Sequence, residues 1–282
     1  MDVHRDFLIA CIAATNAQGV TEYQSRRFST YTGSLRELRD WLLANDCKDV
    51  CMESTGKYWF PVHNILEESC HVVVSHPKFV KAIKGKKTDK KDAQWIADLF
   101  KHDLVRGSFI PPKDIRQLRD LCRYWVKLSS YMTGEKNRAQ NCLTVSNFKL
   151  DDVFSNVFGK SASAITTQLL EHPGEQFDVA PFVDGRCKTP IAQIQEAVDG
   201  IFTYEQAEKL KIIRGHMDSL ERHKAELESL ILEIAQNYLP QIELLLTVPG
   251  IHDAFTAIRI LAEIGADMTV FDTSKHLCSW AG

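Results

Sequence analysis

Between Tyr204 and Tyr238 one pattern outweighs every other in the chain. Leu210, Met217, Lys224, Ile231 and Tyr238 fall seven apart, and so do Ile213, Leu220, Leu227 and Ile234. Residues three and four apart share one face of a helix. A heptad sustained over four repeats therefore requires a helix roughly 50 Å long with a continuous apolar seam, the mark of a coiled coil. Such a seam must be covered by another helix of similar length. One other stretch qualifies. From Lys113 to about Leu143 the pattern is helical, with Ile115, Leu118, Leu121, Cys122, Trp125 and Leu128 as an apolar stripe. The partner is either this stretch of the same chain or a second chain, and the pattern leaves both open. Lys224 is the one polar residue in the seam and can set its register.

The first hundred residues have another rhythm. Val3–Ala14 reads as a strand, Gln18-Gly19 as a turn, and 19–30 as one long strand or a hairpin of two. A helix opens at Gly33-Ser34 and stops near Asn45-Asp46. Asp49–Glu53 is a short buried strand, a helix runs from about Tyr58 to Glu68, and His71–Ser75 is a further strand before Pro77. This alternation predicts an α/β layer in which helices cover a mixed sheet.

The next helix carries the chemistry. Lys84–Phe100 reads KGKKTDKKDAQWIADLF: Asp89 and Asp92 sit three apart at its start, and Trp95, Ile96 and Leu99 form its apolar side. Lys84, Lys86, Lys87, Lys90, Lys91 and Lys101 lie on or beside it. Acids are also favourable at a helix N-terminus for purely local reasons. Two more acids change the weighing. Asp2 heads the first strand and Glu53 closes a central one, and sites in open α/β sheets form at strand ends. Four carboxylates from three elements in a basic setting suit a site that holds divalent metal against a phosphodiester. Asp2, Glu53, Asp89 and Asp92 are the candidate ligands of such a metal, and Lys86, Lys87, Lys90 and Lys91 would hold phosphates nearby. His4 is expected to pack against its strand.

Charge distribution agrees. From Lys78 to Arg138 sixteen Lys/Arg stand against seven Asp/Glu, a balance of +9, which leaves −12 elsewhere in a chain of net charge −3. That asymmetry fits a polyanion-binding surface. Arg116, Arg119, Arg123 and Lys127 form a stripe separate from the apolar one. It is either a face that tracks a phosphate backbone or a solvated helix face. No run approaches about 18 uninterrupted apolar residues, and Asp2 and Asp6 are wrong for a secretory leader. The expectation is a cytoplasmic protein without a membrane span. Eight cysteines are scattered without a CxxC pair, and Cys47, Cys51, Cys70 and His71 are poorly spaced for zinc. They read as reduced thiols.

Near the end, Leu244–Gly265 reads LLLTVPGIHDAFTAIRILAEIG, two short helices around Pro249-Gly250. It is helix-hairpin-helix-like, a turn that can offer amides to phosphate. His252 stands where such turns usually carry a second glycine, so a purely structural helical hairpin is equally open.

Five stretches together are specific: DVHRD (Asp2–Asp6), MESTGKYWFP (Met52–Pro61), KTDKKDAQWIADL (Lys87–Leu99), TVPGI (Thr247–Ile251) and HLCSWAG (His276–Gly282). In order and spacing they resemble the DEDD transposases of bacterial insertion sequences, in the insertion-sequence one-ten family with its eleven-eleven branch. The resemblance implies an RNase H-like, RuvC-like α/β domain over 1–108 whose catalytic acids Asp2, Glu53, Asp89 and Asp92 bind Mg²⁺ (or Mn²⁺). With two ions about 4 Å apart, Asp2 and Glu53 are the expected shared ligands and Asp89 and Asp92 complete the set. It implies a helical and coiled-coil region over 109–239 and the start of a C-terminal transposase domain over 240–282. It implies metal-dependent DNA strand cleavage and exchange on element ends and target DNA, a guide RNA, and assembly of a homo-oligomer, dimer or tetramer. Lys84, Lys86, Lys87, Lys90, Lys91, Arg116, Arg119, Arg123 and Lys127 are the expected nucleic-acid contacts. The family's nucleophilic serine lies just beyond the SWAG stretch. Neither Ser274 nor Ser279 takes that role, and the chain is expected to be truncated. Three other readings stand beside this one. An ATPase or sugar kinase of the same topology would need a Gly-rich first turn, where Asn16-Ala17-Gln18-Gly19 has one glycine. The others are an inactive nucleic-acid-binding remnant of a decayed element and a stand-alone RuvC-like nuclease.

Overall fold

The computed structural model describes residues 1–80 and 88–281. The chain divides into two compact units, Met1–Ile110 and Pro111–Gly282. Among the described residues no helix is long and apolar enough to cross a membrane.

In the first unit, β1 (Asp2–Val3), β2 (Phe7–Thr15) and β3 (Thr21–Ser29) pair antiparallel in that order. The 19–30 stretch is thus one strand. The turn before it is closed by the Asn16 amide on the Val20 carbonyl at 2.9 Å, with Gly19 at φ 79°. Helix α1 (Thr32–Ala44) follows, then β4 (Asp49–Glu53), α2 (Trp59–Leu66), β5 (His71–Ser75), α3 (Pro77–Val80) and α4 (Asp89–Lys101). β4 and β5 are parallel, in register from Asp49↔His71 to Glu53↔Ser75. The expected mixed sheet is therefore two ladders. They adjoin at β1 and β4, where the Met1 nitrogen donates to the Cys51 carbonyl at 2.7 Å. A two-residue β1 is too short to extend the ladder further.

Strand parity decides what each face holds. Successive side chains on a strand point to opposite faces. Val3, Leu8, Ala10, Ile12, Val50, Met52 and Val74 enter one core with Leu35, Leu38, Trp41 and Leu42 of α1 and Val62 and Leu66 of α2. Each such leucine contributes roughly 1.5–3 kcal/mol by leaving water. Cys51 points to the other face, where it packs with Val80, Ile96, Leu99 and Phe100. Asp2 and Glu53 share the parity of Cys51, so both acids face α4. That helix is held on β3 by the Tyr23 hydroxyl, which donates to Asp98 at 2.5 Å.

The second unit opens with α5 (Lys113–Val145). After α6 (Leu150–Val153), α7 (Lys160–Glu171) and α8 (Ile191–Ala197) comes α9 (Tyr204–Ala235). α5 and α9 run antiparallel in the same chain. Tyr238 donates to Asp114 at 2.5 Å, Trp125 Nε1 to Glu228 at 2.7 Å, and His216 pairs with Glu135 at 3.1 Å. The seam residues Leu220, Leu227 and Ile231 pack on Leu118, Cys122, Leu128 and Met132, so α5 covers the long seam. Its polar member is satisfied too: Lys224 Nζ lies 4.5 Å from the centroid of the Trp125 ring. The other end of α9, Leu210 and Ile213, packs into a second core with Phe148, Ile165, Val179 and Ile194.

Gly200 sits where the chain crosses Ser146. A methyl group there would lie 2.5 Å from the Ser146 carbonyl oxygen and 2.8 Å from Phe148 Cδ1. Backbone cannot yield cheaply. Gly200→Ala is therefore expected to cost about 1–3 kcal/mol, read as a lower urea midpoint at unchanged slope.

Helices α10 (Leu239–Leu246) and α11 (Ala254–Ile264) flank the Pro249-Gly250 turn, and α12 is Ser274–Ala281. The first turn of α11 is capped by Asp253, whose carboxylate accepts from the Thr256 amide and hydroxyl, each at 2.8 Å. A carboxylate thus occupies the place where a phosphate-binding turn would present free amides.

Candidate metal centre

The α4 face of the first unit carries a cleft of about 570 Å³ whose lining includes Asp2, His4, Glu53, Thr55, Lys78, Asp89, Asp92 and Trp95. All four acids singled out from the sequence line it. Three local features put them there. Parity turns Asp2 and Glu53 toward α4. Ala93 and Ile96 are the buried side of α4, and Asp89 and Asp92 lie one turn earlier on that same side. Thr88 starts the helix at that point by accepting the Lys91 amide at 3.3 Å.

Asp2, His4 and Asp89 converge most closely, each offering one ligand atom within 4.8 Å of the others. His4 Nε2 lies 3.1 Å from Asp2 Oδ2 and 3.9 Å from Asp89 Oδ1. Glu53 stands at the carboxyl end of β4 and accepts from the Thr55 hydroxyl at 3.0 Å. The chain turns away there at Gly56, φ 54°. Burial raises the Asp2 carboxyl above its ordinary range. His4 pulls it down and the facing Asp89 pushes it up again. A buried carboxylate opposed by a second one is a place where a cation relieves both desolvation and repulsion. Oxygen donors with one imidazole nitrogen fit Mg²⁺ or Mn²⁺ in kind. The Trp95 indole N–H, buried at the edge of the cleft, has no acceptor among the described residues.

His4 is therefore a cleft residue and not only the strand-packing histidine expected. Its place two residues after Asp2 carried that signal: it lies one residue past the end of β1, where a chain that is still extended turns i and i+2 the same way. Lys78 was missed as well. It follows β5, whose end is paired with Glu53 through Ser75. Lys90 and Lys91 are exposed on the first turn of α4. Lys84, Lys86 and Lys87 lie outside the described residues.

The arginine stripe on α5 is differently employed. Arg116 donates to the Pro111 carbonyl at 2.8 Å. Arg119 donates to the Ala262 and Glu263 carbonyls at 2.8 and 2.9 Å, and Arg123 grips the Glu263 carboxylate with two bonds of 2.8 Å. These two guanidiniums close the C-terminal end of α11, where carbonyls lack intrahelical partners. Lys127 remains exposed, its Nζ 5.3 Å from the Tyr131 ring centroid.

Residues 1–147 match the family model of DEDD transposases of the IS110 type, described as a transposase, and residues 242–282 match the transposase IS116/IS110/IS902 family. The chain belongs to the IS110 transposase family. The first match covers the whole acid cleft and α5. The second begins within α10, which leaves 148–241 between the two. No curated protein matches the chain. As an IS110-family transposase it belongs with enzymes that process DNA.

Proposed function

We propose that Asp2, Glu53, Asp89 and Asp92 hold divalent metal, Mg²⁺ or Mn²⁺, for DNA strand cleavage and exchange during transposition. One observation carries this reading: acids 87 residues apart in sequence line one cleft at the end of a central strand pair. Bound there, the metal supplies a Lewis acid for the scissile phosphate. The carboxylates fix its place, Lys78, Lys90 and Lys91 supply positive charge beside it, and the Trp95 N–H is a donor for an anionic oxygen. The order of adjacent strands, β3-β2-β1-β4-β5, supports an RNase H-like, RuvC-like domain over 1–108 with Asp2 on its middle strand. The α5–α9 pairing supports a coiled-coil region over 109–239, followed by a C-terminal transposase segment over 240–282. The substrates on this reading are element ends and target DNA, with a guide RNA and a homo-oligomer, in the bacterial cytoplasm.

The test compares wild type with Glu53→Gln and Asp89→Asn on element-end DNA. Both variants are expected to keep the wild-type circular dichroism spectrum and to lose Mn²⁺ binding, read by the spin signal of free Mn²⁺. Cleavage is expected to fall by more than the about 10- to 100-fold that an outer-shell partner costs. Wild-type cleavage by either folded variant would remove the acids from the mechanism.

A further inference from the structure

One stripe of α5 is used by neither neighbouring helix. Tyr124, Lys127, Tyr131, Gly134 and Arg138 follow one another at steps of three, four, three and four, so they share one face. The buried side of α5, Leu118, Cys122, Leu128 and Met132, lies against α9, and Arg119 and Arg123 hold α11. Tyr124 is 55% exposed and Tyr131 48%. Neither hydroxyl is hydrogen-bonded among the described residues.

Two large aromatic side chains left half in water on a helix otherwise rich in charge need a reason. So does Gly134. Glycine is a costly residue in a helix interior, and packing does not demand it here. A methyl group at 134 would meet only the flexible end of Arg138, at 3.2 Å. What the glycine leaves is room for that guanidinium to lie along the helix, where Arg138 Nη1 donates to Glu135 at 3.0 Å. The face therefore presents two rings about 10 Å apart along the axis, with a lysine between them and an arginine beyond.

Aromatic rings on which bases stack, interleaved with cations that meet the backbone, are how sequence-tolerant sites hold single-stranded nucleic acid. We infer that this face binds unpaired nucleotides, with Tyr124 and Tyr131 as stacking platforms and Lys127 and Arg138 as phosphate contacts. Charge complementarity favours this occupant: the stripe itself carries two cations, Lys127 and Arg138, and no acid. A duplex keeps its bases stacked internally and offers the rings nothing. The inference deepens the nucleic-acid reading above and rests on it for its substrate class only.

The test measures fluorescence anisotropy of the full chain with labelled oligo-dT, oligo-U and a duplex of equal length. The double variant Tyr124→Ala/Tyr131→Ala is expected to bind single strands about a hundredfold more weakly and the duplex within about threefold of wild type. Tyr124→Phe/Tyr131→Phe keeps the rings and is expected to keep the affinity. Lys127→Gln is expected to lower the salt slope of single-strand binding by about 0.7. Tighter binding of oligo-U assigns the face to RNA, and tighter binding of oligo-dT to a DNA strand. Unchanged single-strand affinity in the folded alanine variant overturns the inference. So does an equal loss on duplex, and so does a change of oligomeric state in sedimentation, which would give the face to a second copy. Asp89→Asn, dead in cleavage, is expected to retain single-strand binding, so a failed metal centre and a failed stacking face are read separately.

Discussion

Asp2→Asn is expected to raise the melting temperature of the metal-free protein while abolishing its strand cleavage. The two effects have one cause. Asp2 is buried and faces Asp89, and its carboxyl is pushed up, by burial first. It binds a proton more tightly in the folded protein than in the unfolded chain. The metal-free fold therefore loses stability as pH rises from the ordinary value of 3.8 through the raised one. Asparagine removes the charge, and with it both the burial penalty and that part of the pH slope. A bound divalent ion inverts the balance. At a hundred times its Kd it adds about 2.7 kcal/mol to the wild-type fold and is expected to add nothing to the variant. Thermal melts between pH 4 and 8, in chelator and in Mn²⁺, separate these contributions. A variant that melts lower than wild type in chelator and keeps the full Mn²⁺ shift would make Asp2 a structural anion and end its role as a ligand.

The acid cleft was readable because each of its parts is governed by a short-range rule. Asp49–Glu53 and His71–Ser75 are apolar runs bounded by polar turns, and both strands have those limits in the structure. Parity then turns Glu53 toward the face of Cys51, and helical spacing puts Asp89 and Asp92 above Ala93 and Ile96. His4 obeyed the same parity as Asp2 and was passed over because a lone histidine beside apolar residues usually packs. The seam of α9 was legible as a seam, but its partner was not, since heptads specify a face and not the chain that covers it. Trp125 is the example. Its ring receives Lys224 and its N–H meets Glu228, and no local pattern joins residues about a hundred positions apart. The arginine stripe was the least legible. Arg116, Arg119, Arg123 and Lys127 recur at steps that look the same whether water, phosphate or the end of another helix is opposite.

That ambiguity leads to a large expected loss of stability in the second unit. Arg119→Ala should destabilise it by about 2–4 kcal/mol, whereas Arg123→Ala should cost under about 1 kcal/mol. Arg119 is only 18% exposed and donates two charge-assisted bonds to the Ala262 and Glu263 carbonyls. Its removal leaves the end of α11 without those donors in a partly buried place. Arg123 is 65% exposed, so solvent screens its pairing with Glu263 despite good bidentate geometry. Arg123 nonetheless holds the Glu263 carboxyl below its ordinary range, chiefly through its hydrogen bonds. The linked stability is present above the ordinary value of 4.5 and fades as pH falls through the depressed one. Docking of α11 should therefore loosen in acid, and in Arg119→Ala it should be loose already at neutral pH. Limited proteolysis in the 247–253 turn, with urea unfolding of each variant, measures this directly. If Arg119→Ala keeps wild-type stability and protection yet binds nucleic acid more weakly, its guanidinium serves phosphate and not α11. Loss of both stability and protection in Arg119→Ala, with Lys127→Ala stable and weaker for nucleic acid, divides the stripe between a structural Arg119 and a binding Lys127 eight residues further along α5.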